Sequence, residues 1–114
     1  MLKSHQLSTM LTLQDKMNRK VNPDWLKTRS PFLRAVVIEG AEAIEHHGWK
    51  WWKKQHCDLP QLQMELVDIW HFILSEILLR NQANIDLAVS HTLQELQQQD
   101  VEFDGQRYQL GQLK

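Results

Sequence analysis

The stretch LPQLQMELVDIWHFILSEILL, residues 59–79, constrains this chain more than any other. Read as a helix, it is apolar around most of its circumference: Leu62, Leu66, Val67, Ile69, Trp70, Phe72, Ile73, Leu74, Ile77, Leu78 and Leu79 leave no continuous polar face. Such a helix must be covered on several sides. Its apolar part is too short to cross a bilayer and is interrupted by Asp68, His71 and Glu76. With 114 residues in all, the chain has barely enough partner helices to do the covering. A bundle that buries further surface against a second copy is the economical solution, so a homodimer is expected.

The rest of the chain also reads as helix. Leu7, Met10, Leu11, Gln14, Met17 and Asn18 follow helical spacing and predict a first helix over about residues 3–19. VNPDWLKT breaks it as a turn. Ser30 as N-cap and Pro31 in the first turn open a second helix, which ends near His47 with Gly48 as a left-handed cap. Asp58 caps a third helix that runs to about Arg80, and a fourth spans about 85–99. An Asp-Gly pair predicts a short hairpin between 101–103 and 107–110. The expectation is an all-α fold: one domain over residues 1–114, a bundle of about four to five helices completed by homodimerisation.

Formal net charge is -1, so no global field argues for nucleic acid or a membrane surface as partner. A single cysteine, Cys57, excludes an internal disulfide and suits a reducing compartment. The opening MLKSHQLSTMLTLQDK is too broken by polar residues for a signal peptide, so a cytoplasmic location is expected. Any charge-driven function must come from local clusters.

One cluster is acidic. Glu39 and Glu42 lie three apart, as do Glu65 and Asp68, giving E-x-x-E, 22 residues, then E-x-x-D. Acids three apart on a helix commonly form a solvated face. Here, however, the second pair sits in the most apolar helix, where unpaired carboxylates are costly. Four converging carboxylates repel, and a divalent cation relieves them; all-oxygen ligation favours Mg²⁺ or Mn²⁺. Phe72 follows on the same face, which suits a flat, phosphorylated ligand. WKWWKK adds lysines for phosphate and indoles for stacking or packing, although core filling and a solvated turn account for the same residues. His46 and His47 suit a helix C-terminus. Asp68 and His71 make one D-x-x-H, the spacing of carboxylate-bridged di-iron or di-manganese bundles, which need such a motif twice. Gln14 and Asn18 share a helix face, as surface residues or as amides that read a base edge.

EGAEAIEHHGWKWWK and ELVDIWHF, with LQDKMN upstream, resemble the dimeric all-α dUTPase family, within the wider all-α nucleoside triphosphate pyrophosphohydrolases that include MazG-like enzymes. The resemblance covers about residues 7–80. It implies Mg²⁺-dependent hydrolysis of dUTP to dUMP and pyrophosphate by a homodimer. Glu39, Glu42, Glu65 and Asp68 match the metal ligands, and one of the first two glutamates also activates the attacking water. Lys53 and Lys50, beside Trp52, match the phosphate-facing segment. Gln14 and Asn18 match the motif that faces uracil, and His71 and Phe72 the base-pocket end of the third helix. A pyrophosphatase for another (d)NTP and a nucleotide-binding module without turnover are the alternatives.

Overall fold

The computed structural model describes residues 2–98 and 100–109. The order of elements is α1 (Ser4–Val21), α2 (Trp25–Thr28), α3 (Phe32–His47), α4 (Leu59–Arg80), α5 (Ile85–Glu95), β1 (Asp100–Phe103) and β2 (Gln106–Gln109). The fold is mainly α, as expected. No helix among the described residues is long and apolar enough to cross a membrane.

The caps explain most boundaries. Asp58 starts α4 by accepting from the Gln61 amide at 3.3 Å, with Pro60 in the first turn. Gly48 ends α3 at a φ of 87°, which favours glycine. Ser30 is not the cap of α3: Pro31 occupies that position, and Ser30 acts through its backbone carbonyl, which accepts from the Phe32 amide at 2.9 Å. The stretch read as a turn contains α2. Trp25 makes that turn helical, because its indole is buried in the core, donates to Asp15 Oδ1 at 3.2 Å and meets Phe32 edge-on at 6.0 Å. The last helix ends at Glu95, earlier than expected; among the described residues no side chain beyond Leu93 packs against the core. The hairpin forms, with Val101 opposite Tyr108 and Asp104 and Gly105 both at positive φ, the signature of a type I′ turn. Gln99 and Leu110, the predicted ends of the last helix and the second strand, lie outside the described residues.

The core sits at one end. Leu7 and Leu11 of α1, Trp25 of α2, Leu74, Leu78 and Leu79 of α4 and Ala88 of α5 make one buried cluster. The three α4 members all lie in the C-terminal half of that helix. The N-terminal half packs chiefly on α3, and there Leu66 and Val67 are each 54% exposed. One chain therefore does not supply the all-round cover that this helix calls for.

Candidate functional site

α3 and α4 form an antiparallel helical hairpin. Its register is visible in three cross-pairs, spaced seven residues apart on each helix. Phe72 stacks beside Phe32 at 6.5 Å, Glu65 meets Glu39, and at the mouth the Asp58 amide donates to the His46 carbonyl at 2.8 Å. Seven residues are two helical turns, so all three pairs lie along one seam. Packing at both ends thus holds the carboxylates of the middle pair face to face.

Glu39, Glu42 and Glu65 each place a carboxylate oxygen within 4.8 Å of the others. Glu65 is buried, and Gln61 Nε2 donates to its Oε1 at 3.0 Å. Oε2 of Glu39 is buried with no hydrogen-bond donor. The Glu39 carboxyl is pushed up to about 7, first by hydrogen bonding with Glu65, then by loss of water and the charge of Glu42. Glu65 is held below the usual carboxylate range, chiefly by Glu39 and then by Gln61. An oxygen-only donor set, tightly grouped and containing a buried oxygen without a donor, fits a hard divalent cation. Asp68 is half-buried one turn further along α4 and is not part of this group of three. Glu45 turns the other way, accepting from Trp49 Nε1 at 3.0 Å and facing Lys50 Nζ at 3.5 Å.

Asp68, His71, Phe72 and Ser75 are spaced as one stripe down α4. At one edge His71 Nδ1 meets Gln14 Oε1 of α1 at 2.6 Å; at the other Phe72 meets Phe32 of α3. The stripe therefore faces the space between α1 and α3. Gln14 is buried and donates to Asn18 Oδ1 at 2.9 Å; Asn18 donates to Ser75 Oγ at 3.0 Å, and Ser75 to the His71 carbonyl at 3.0 Å. With Nδ1–H donating to Gln14, His71 keeps Nε2 as an acceptor. Phe72 also lines an apolar hollow of about 310 Å³ with Phe32, Arg34 and Ile38.

The tryptophan segment is not core. Trp49, Trp51 and Trp52 are exposed and pack edge-to-face on one another, with centroids 4.7–6.4 Å apart. Lys53 is exposed and makes no ion pair among the described residues.

A family model described as dUTPase matches residues 6–109. The chain belongs to the dUTPase family. Searches of curated proteins and of solved structures found no match. The match runs from the first turn of α1 to the end of β2, so the family assignment takes in every element above. It makes the chain a dUTPase-like nucleotide hydrolase. Two side chains beside these residues were not legible in the sequence. Ser75 was not singled out at all, although its i+4 spacing from His71 was the available signal. His46 was assigned to the helix end, yet it lies i+4 from Glu42, with Nδ1 3.7 Å from Glu65 Oε1.

Proposed function

We propose that this dUTPase-family chain hydrolyses dUTP to dUMP and pyrophosphate in a Mg²⁺-dependent reaction. Glu39, Glu42, Glu65 and Asp68 would hold the cation, and Mn²⁺ could replace it. The observation that carries the reading is the buried, donorless Oε2 of Glu39 inside a carboxylate group no wider than 4.8 Å. When bound, the metal neutralises triphosphate charge and lowers the pKa of a water.

The remaining steps belong to the chain's own residues. Glu39 or Glu42 takes the proton of the water that attacks the α-phosphorus. Lys53 and Lys50 meet the charge that accumulates on the departing pyrophosphate, with Trp52 alongside. The nucleoside lies along the stripe of α4, its base against Phe72. The Nε2 acceptor of His71 suits the imide N–H of uracil, which cytosine lacks, while Gln14, Asn18 and Ser75 fix that imidazole in place. The working unit is a homodimer, supported by the exposed apolar flank of α3 and α4.

The test is pyrophosphate release from a panel of deoxy- and ribonucleoside triphosphates with Mg²⁺, beside a Glu42→Gln control. Turnover of dUTP with a dead control supports the reading. Preference for another triphosphate keeps the chemistry and removes the uracil assignment. A folded, Mg²⁺-loaded protein that hydrolyses nothing overturns the reading as an enzyme.

A further inference from the structure

We infer that His46 supplies an imidazole nitrogen to the cation held by Glu39, Glu42 and Glu65; the inference rests on the metal reading above. His46 stands one turn beyond Glu42 and two turns beyond Glu39, on the same stripe of α3. Its Nδ1 is buried and has no hydrogen-bond partner. Its backbone is fixed at the hairpin mouth, where its carbonyl accepts from the Asp58 amide at 2.8 Å.

The distance to Glu65 decides between two roles. An N–H donor that oriented Glu65 would sit about 2.7–3.2 Å from its oxygen. The observed separation is 3.7 Å. Two ligands of one octahedral cation, each about 2.1 Å from it, lie about 3 Å apart when adjacent and about 4.2 Å apart when opposite. At 3.7 Å the two atoms are too far apart for a hydrogen bond and lie between the adjacent and opposite ligand spacings, so no direct bond between them competes with a shared cation, and a small shift of the imidazole would bring Nδ1 into a ligand position. Either imidazole nitrogen can serve as a ligand. Adding nitrogen to an oxygen set moves preference from Mg²⁺ toward Mn²⁺ and the later divalent metals. The other nearby imidazoles compete poorly: His47 and His56 are exposed, and His71 is engaged with Gln14.

Pulsed electron paramagnetic resonance on the full chain loaded with Mn²⁺ reads nitrogen coupling directly, without substrate. The wild type should show coupling from one nitrogen, and His46→Gln should lose it while still binding Mn²⁺. In calorimetric titrations the same substitution should weaken Mn²⁺ about tenfold and Mg²⁺ much less. Bound Mn²⁺ without nitrogen coupling, or coupling that survives in His46→Gln, overturns the ligand role and leaves the carboxylate site standing. Mn²⁺ binding that Glu42→Gln does not change overturns the metal reading and this inference with it. If His46→Gln does not fold, His46→Asn takes its place with the same two readings, and a wild-type spectrum without nitrogen coupling overturns the role by itself.

Discussion

Glu39 and Glu65 face each other across the α3–α4 seam, and each moves the other's proton affinity in the opposite direction. Glu39 is raised to about 7 and Glu65 is lowered. Near neutral pH the metal-free pair therefore holds about half a proton between two carboxyls, and below about pH 6 close to one. That proton occupies the place of a cation, and the two should compete.

The competition has a direction in pH. Between the ordinary carboxyl value of 4.5 and about 7, the folded protein keeps the Glu39 proton and the unfolded chain does not. Stability from this group is full below that window and is lost as pH rises through it. The lowered pKa of Glu65 acts elsewhere: its contribution is present above the unfolded value and fades as pH falls below it. In EDTA the Tm should therefore fall between about pH 5 and about pH 8, and Mg²⁺ should raise the Tm more at the upper end. Scanning fluorimetry reads this directly. An equal Mg²⁺ shift at both ends would contradict it.

Glu39→Gln keeps the shape and removes the charge. Carboxylate repulsion is relieved, so the metal-free variant should melt higher than the wild type at about pH 8. The Mg²⁺-induced Tm shift should largely disappear, and turnover should fall about a hundredfold or more. A solvated surface acid would produce neither change, so the pairing of gained stability with lost activity marks the site.

Gln14 ties α1 to α4. Its side chain is 5% exposed and is bonded to both His71 and Asn18. Gln14→Ala leaves those partners short of a bond in a mostly buried place, at a cost of about 1–3 kcal/mol in urea unfolding. Because His71 loses the partner that sets its tautomer, KM for dUTP should rise more than kcat falls. A variant of wild-type stability would show that the network contributes nothing to the α1–α4 junction.

The exposed indoles give an optical readout. Trp51 is 84% exposed, so Trp51→Ala should change stability by less than about 0.5 kcal/mol. If the loop meets the nucleotide, dUMP or dUTP should quench tryptophan fluorescence in the wild type. Lys53→Ala should weaken triphosphate binding more than monophosphate binding. Identical losses for both ligands would remove Lys53 from the phosphates.

The helices were legible because their signals are local. Asp58 and Gly48 act within one turn of where they stand, and the Asp-Gly pair carries its own turn geometry. The E-x-x-E and E-x-x-D spacing showed which faces are acidic, and packing then brought three of the four carboxylates together. What escaped depends on contacts distant in sequence. α2 exists because Trp25 reaches Asp15 and Phe32. Tryptophan composition alone could not separate buried Trp25 from exposed Trp51, since indoles serve both environments. The place of His46 beside Glu65 depends on the interhelical register, which no single-helix pattern contains.

The remaining question of assembly turns on surface. A monomer of 13.6 kDa ordinarily exposes about 6,600 Å². This chain exposes 8867 Å². Its radius of gyration is 16.2 Å, against about 13 Å for a compact chain of this length. The mostly exposed β1–β2 hairpin accounts for part of the excess, but Val37 and Val67, 71% and 54% exposed, sit on the long helices. A surplus of about 2,000 Å² is of the order that an obligate dimer buries. The wild type should therefore sediment at twice 13.6 kDa. A glutamate at Val37 or Val67 should shift it toward one chain without unfolding the core, which lies at the other end of α4. In the dimer the same substitution would bury an unpaired charge, whereas in a monomer it would merely meet water. A wild type that sediments as a single chain at micromolar concentration would end the dimer proposal.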